Sequence, residues 1–516
     1  MMQHNMLDNS LTNKTLKNIS YNMIGFFLPM FFLLVITPKI ITNLGTKNYG
    51  VYMYVLAVSS LMGLFDFGLG HTLIKYIAEY KEKNDHERIK KLISTFNIIL
   101  FLLGFFGLII YVVMGFFATY FFLSMNDAGH YYIWLFFISG LTFFISTLST
   151  TYTIVPVALQ RFDISTKIGL INLFLSNISI LILVLFHFGL RAIFISQLFF
   201  AVLLFFEYRF FSQRLLPEAK LNYKWHKNEI TTVFKFSLAT YISNAANSAL
   251  TYLDRLLIPI YLGPTALSYY SVPGNINTKT PNLINNVSAV MFPMISSLNS
   301  IKNIDKIKNI YCRVFNLITV ITFAISISII LFANKILLYW LNADFAEKST
   351  GILIILSVTY YFLSLAGVLN SFLMGLSKTG FLLKTSVIMT IINVILLVVF
   401  LPFWGIEGAA YAYLISVLPV IYMFYYTEKK YLNLTGRWKF YLKLYFKLFI
   451  VLSFFSIIVV YLILPFVNNL QSVVIAGPLS VLLFIFLYGI FGFFEKEDID
   501  LLNKYFKLVL KKIKLI

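Results

Sequence analysis

Long apolar runs separated by short polar stretches dominate this chain. Fourteen runs of about 20 residues or more lie near residues 19–42, 49–73, 92–123, 131–157, 168–188, 192–211, 236–262, 265–295, 312–333, 350–375, 381–402, 407–427, 443–465 and 473–494. A helix of that length crosses a hydrocarbon core of about 30 Å while satisfying its own backbone hydrogen bonds. The pattern therefore predicts an all-α polytopic membrane protein with fourteen transmembrane helices. The first 18 residues are polar and rich in Asn, and no small-residue cleavage site follows the first apolar run. That run is read as a retained helix and not as a signal peptide.

Composition agrees with this pattern. The 516 residues are 59% hydrophobic and 12% charged, whereas soluble chains carry about 25% charged residues. Lys and Arg total 41 against 21 Asp and Glu, a net charge of +20. Because Lys and Arg collect in short cytoplasmic loops, this excess tests the topology. With the N-terminus inside, 34 basic residues fall in cytoplasmic segments and five in outer loops (Lys39, Lys47, Arg191, Lys335, Lys348). Two, Arg255 and Lys279, fall within spans. A missed or invented helix would invert the count beyond the error, so the asymmetry predicts an even number of spans with both termini in the cytoplasm. It places the loops richest in Lys and Arg on the cytoplasmic side of a cell membrane. Nucleic-acid binding is excluded as an explanation of the charge, since the cations are spread over eight loops and form no single basic domain. The single cysteine, Cys312, and six scattered histidines exclude an internal disulfide and offer no zinc clamp at helical spacing. No cofactor is expected.

Two intervals recur. Gly45 in LGTKNYGVY aligns with Gly263 in LGPTALSYY, and Tyr52 with Tyr270, both 218 apart; Asn177 with Asn393 and Gly189 with Gly405 are both 216 apart. The expected organisation is an N-lobe of six helices (1–211), a polar cytoplasmic linker (212–235), a C-lobe of six helices (236–427), two appended helices (428–494) and a cytoplasmic tail (495–516). The lobes would be pseudo-symmetric bundles of like orientation, as in alternating-access transporters. The tail places Leu502, Phe506, Val509, Ile513 and Ile516 on one face with lysines opposite, which suits a helix on the anionic inner leaflet.

Ionisable residues at membrane depth are costly and face a cavity or a partner. The eighth span is the most polar: Asn275, Lys279, Asn282 and Asn286 follow at i, i+4, i+7 and i+11, one helical face. Lys279 lies 14 residues into the span, about 21 Å along a helix. Pro273 and Pro281 are expected to break or kink it. The seventh span carries Asn244, Asn247, Thr251, Asp254 and Arg255. Together the stripes would line a hydrated, net positive cavity in which a guanidinium and an ammonium suit phosphate. Two other readings of Arg255 stand: pairing with Asp254 and snorkelling to the interface. In the first lobe Asp66 either couples a proton or sodium ion or caps a helix break. His71 lies at the same interface, and Lys39 either lines an outer vestibule or snorkels.

Several segments carry a family likeness: LGTKNYGVYMY with FDFGLG, YLDRLLIPIYLGPTALSYYSV, MFPMISSL, and LNSFLMGLSKTGFLLK leading to FWGIEGAAYAYLIS. In order and spacing the chain resembles the polysaccharide flippases (Wzx, or O-antigen and teichoic-acid exporter type) of the multidrug/oligosaccharidyl-lipid/polysaccharide (MOP) exporter superfamily, over spans 1 to 12. The resemblance implies a MATE/MurJ-like fold. It also implies movement of a polyprenyl-diphosphate-linked oligosaccharide from the cytoplasmic to the outer leaflet for cell-surface polysaccharide synthesis (O-antigen, lipopolysaccharide or capsule). Partners would be membrane lipids, a polysaccharide polymerase and glycosyltransferases. In the related peptidoglycan-precursor flippase, helices 13 and 14 form a lipid-tail groove. On this view Lys279 and Arg255 meet the diphosphate and the asparagines meet sugars. The sparse charge of the first lobe departs from the family pattern. Two alternatives remain: a drug or cation antiporter leaning on Asp66 and Asp254, and a membrane glycan polymerase or ligase, for which the short outer loops offer no catalytic domain.

Overall fold

The computed structural model describes residues 2–63, 69–122, 129–220, 223–288, 291–434 and 436–494; for residues 2–24, 26, 71, 121–122, 129, 227–244, 246–247 and 286–287 it describes the backbone alone. Asp66 and the amphipathic tail lie outside the described residues, as do the side chains of His71, Asn244, Asn247 and Asn286.

The described chain is almost wholly helical and without strands. Its helices are α1 (Met2–Met62), α2 (Leu69–Glu82), α3 (His86–Phe122), α4 (Gly129–Ala158), α5 (Phe162–Leu185), α6 (Gly189–Leu215), α7 (Lys227–Asn277), α8 (Lys279–Ser288), α9 (Met291–Ser300), α10 (Ile304–Trp340), α11 (Ala343–Gly375), α12 (Thr379–Val417), α13 (Pro419–Lys430), α14 (Trp438–Ile458) and α15 (Leu470–Ile490). Among the described residues ten helical segments are long and apolar enough to cross a membrane. One of them, Thr379–Lys430, holds the eleventh and twelfth expected spans together. Successive spans thus share one helical segment, bent at a single glycine.

Those glycines carry the internal repeat into the backbone. Gly45 interrupts α1 at φ 84°, ψ 160° and Gly263 interrupts α7 at φ 80°, ψ 167°. Gly189 and Gly405 also have positive φ. So do two pairs invisible to residue matching: Asn84 with Lys302, 218 apart, and Gln160 with Ser377, 217 apart. Left-handed residues at helix ends let the chain reverse between antiparallel helices, and their common interval shows the turn plan of the first half repeated in the second.

The chain divides into two compact units, Met1–Ser268 and Tyr269–Ile516. In the first, Leu73, Ile77, Ile93, Phe96 and Val155 form a fully buried core among α2, α3 and α4. The polar linker is pinned to this core. Leu216 and Ala219 are buried in it, and the Ser94 hydroxyl donates to the Lys224 carbonyl (2.9 Å) while accepting from its N–H (2.6 Å). Also in this unit, the part of α7 beyond Gly263 abuts α1: a Cβ on Gly50 would collide with the Pro264 carbonyl, and the Ser268 hydroxyl donates to the Thr46 carbonyl at 2.5 Å. In the second unit α10 and α11 form the buried centre. Phe484 of α15 packs edge-on against Phe455 of α14 and lies beside Phe323 of α10.

Candidate functional site

The eighth expected span is a broken helix. Pro281 lacks the N–H that would reach the Asn277 carbonyl one turn back. The helix accordingly stops at Asn277, passes Thr278 as a turn, and restarts with Lys279 as the first residue of α8. Pro273, expected to kink the chain, lies within α7; the bend in that helix is at Gly263. If the segment crosses the bilayer as expected, the break brings helix ends, with their oriented carbonyls and N–H groups, to membrane depth, the arrangement transporters use for ion and substrate groups.

Asn277 holds the break closed. It is 1% exposed; its amide donates to the Pro273 and Leu353 carbonyls at 3.2 and 3.3 Å, and its side-chain oxygen accepts from the Ser357 hydroxyl at 2.9 Å. These bonds tie the end of α7 to α11. The Thr278 hydroxyl donates to the Asn275 carbonyl at 3.0 Å. Around this anchor Asn275 and Lys279 are half-buried and Asn282 is exposed. Among the described residues no carboxylate pairs with Lys279.

The seventh-span candidates belong to the first unit. Asp254 and Arg255 are buried, 2% and 8% exposed. The backbone N–H of Arg255 donates to the Asp254 carboxylate at 2.7 Å, and the guanidinium lies 5.6 Å from the centre of the Tyr252 ring. Lys39 is exposed on α1, immediately after Pro38.

The second unit holds two polar groups that the pattern of the sequence did not single out. On the predicted outer side the Tyr269 hydroxyl donates to the Asp344 carboxylate, which also pairs with Lys348 at 2.7 Å. Near the predicted cytoplasmic side Glu428, 4% exposed, accepts at one oxygen from Tyr311 (3.1 Å), Tyr441 (2.5 Å) and Arg437 (2.9 Å). Tyr311 comes from α10, and Arg437 and Tyr441 from the start of α14. The one available signal was a lone acid in the basic run TEKK.

Residues 44–350 match the family described as polysaccharide biosynthesis protein. This is more than half of the chain, and the protein belongs to that family. A Shigella flexneri protein named for O-antigen transport is 23% identical over 426 residues, covering 78% of this chain and 95% of the relative. Among solved structures, the lipid II flippase MurJ in an inward closed conformation aligns with a TM-score of 0.69 at 15% identity, covering 92% of this chain and 98% of that one. An inward-facing MATE multidrug transporter of the MOP superfamily aligns at 0.67 and 14% identity, covering 78% of this chain and 96% of its own. The fold is the MurJ/MATE fold expected from the sequence, and the chain is a multi-pass membrane protein of the polysaccharide biosynthesis family.

Proposed function

We propose that the protein flips a polyprenyl-diphosphate-linked oligosaccharide from the cytoplasmic to the outer leaflet of a bacterial cytoplasmic membrane by alternating access. The observation that carries this reading is Lys279, a half-buried cation that opens a new helix within the eighth span expected from the sequence, without a carboxylate partner among the described residues. An ammonium so placed is stabilised when an anion arrives, and a diphosphate supplies one at the junction of polyprenyl tail and sugar. Arg255 is the second cation and Asn275 and Asn282 offer amides to sugar hydroxyls; Asn244, Asn247 and Asn286 are assigned the same role from the sequence, and Asp66 that of carrying a coupling proton or sodium ion. The O-antigen transport named for the Shigella flexneri relative supports the same cargo class, and synthesis of that cargo makes glycosyltransferases and a polymerase the natural partners.

Replacing Lys279 with Ala is expected to abolish export of the surface glycan while the protein still reaches the membrane at normal level. Lys279→Arg, which keeps the charge, should retain part of it. Unchanged export in Lys279→Ala would remove this residue from the mechanism. The likeness to a multidrug transporter favours a second reading, drug or cation antiport. That activity would lean on Asp254 and survive loss of Lys279, so drug resistance and glycan export measured in one variant separate the two.

A further inference from the structure

A cavity of about 850 Å³ lies in the second unit between α10, α11, α13 and α14. It is larger than packing voids and within the range of ligand pockets, about 300–1,000 Å³. Its inner wall is buried and apolar, with Phe315, Leu365 and Phe424 at 2%, 2% and 8% exposure. Its rim is the opposite: Ile421, Tyr425, Trp438 and Leu442 are 55%, 58%, 72% and 54% exposed. These rim residues lie on helices that read as membrane-crossing, so what faces the opening is lipid and not water. An apolar cavity open to a bilayer admits an acyl chain.

The polar end selects what that chain carries. The lining holds one acid, Glu428, and two cations, Lys429 and Arg437, an excess of one positive charge. Glu428 is already satisfied by two tyrosine hydroxyls and Nη1 of Arg437. The Arg437 side chain is 11% exposed, and its Nη2 is buried with no hydrogen-bond partner among the described residues. Leaving a buried guanidinium N–H unmet is costly, and a guanidinium fork fits a phosphate oxygen. Lys429, 3.2 Å from the Tyr425 hydroxyl, stands beside it at the rim. The loop that carries Arg437 is cytoplasmic by the charge asymmetry of the chain. Trp438 next to it is the residue type that settles at headgroup depth.

We propose that this cavity holds one anionic phospholipid of the cytoplasmic leaflet, its phosphate on Arg437 and Lys429 and an acyl chain among the aromatic rings of α10, α11 and α13. The occupant is a resident membrane lipid and not the transported cargo: among the described residues α15 contributes nothing to the lining, so the cavity is not a groove between the last two helices. A lipid seated here fills the wedge between α14 and the bundle of α10 and α11. It would hold the appended helices to the rest of the unit.

The test is native mass spectrometry of the full-length protein in detergent, titrated with phosphatidylglycerol or phosphatidylcholine. One tightly held phosphatidylglycerol adduct is expected, with phosphatidylcholine retained at least about tenfold more weakly, since both lipids carry the phosphate but the choline cation is repelled by the net positive end of the cavity. Arg437→Gln should remove that preference. Because this variant also strips Glu428 of its cation and can unfold the site, Leu442→Trp, which fills the mouth and leaves the ion pair intact, should lower occupancy of both lipids. Equal retention of the two lipids by the wild type, or an adduct indifferent to both variants, overturns the proposal. So does displacement of phosphatidylglycerol by equimolar polyprenyl phosphate, which would make the cavity a cargo site. Glycan export is not the readout, so failure here leaves the transport reading untouched.

Discussion

Asn277 makes two donor bonds and one acceptor bond while almost wholly withdrawn from solvent, and each of its partners depends on it in turn. Asn277→Ala removes one donor from the Pro273 and Leu353 carbonyls and leaves Ser357 with acceptors only in its own helix. Such a change costs about 1–3 kcal/mol where the groups stay buried. A lowered midpoint in thermal unfolding of the detergent-purified protein is the expected result, and an unchanged midpoint would show that the break is held by packing alone. Lys279 was legible in the sequence because an ammonium amid apolar residues is costly enough to demand an explanation. Asn277 was not, since it falls off the face shared by Asn275, Lys279 and Asn282, and only the interruption at Thr278, placed by the fold, gives it its partners. Arg437 was passed over for another reason. Charge asymmetry counts it as one more cytoplasmic cation, and only the fold sets it against Glu428 and the ring of Tyr311.

Helical elements here are joined by glycines in a conformation other residues avoid. Gly45 and Gly263 share φ near 80° with ψ at 160° and 167°, a region open essentially to glycine alone and costing about 1–3 kcal/mol for other residues. A Cβ at either would meet nothing within 4 Å, so the penalty there is torsional and not a clash. Gly45→Ala and Gly263→Ala should each destabilise the purified protein by about that amount, whereas Gly25→Ala, within a regular stretch of α1 with open space around it, should be neutral or stabilising by up to about 1 kcal/mol. Equal effects at all three positions would refute the torsional account. Gly50 differs from these, since its Cβ would strike the Pro264 backbone, and Gly50→Val is expected to separate α1 from α7 in the first unit. At this scale the sequence was legible in kind: the aligned glycines revealed the repeat, but not that spans 11 and 12 run through one bent helical segment. Hydropathy windows register the apolar run and are blind to whether the residue between two runs turns the chain or merely bends it.

For the molecule as a whole, orientation follows from charge and not from coordinates. Of the 41 basic residues, those in alternate loops far outnumber the rest, and insertion keeps such loops in the cytoplasm. The helical plan carries this to single positions. Lys302, exposed between α9 and α10, belongs inside, whereas Asn468, exposed between α14 and α15, belongs outside. Cys312 is the only cysteine, so Cys312→Ser gives a background in which one introduced thiol reports one site. In intact cells a membrane-impermeant maleimide should label Asn468→Cys and spare Lys302→Cys until the membrane is opened. Labelling of Lys302→Cys from outside, with Asn468→Cys protected, would invert the topology and with it the assignment of Arg437 to the cytoplasmic leaflet. Labelling of both from outside would mean that the number of crossings between α10 and α14 is even, when four helical crossings and one more are required. The two sites flank spans 9 to 13, so they test that odd count directly. The bend at Gly405 decides it: if the segment Thr379–Lys430 crossed the membrane once instead of twice, every loop beyond it would change sides.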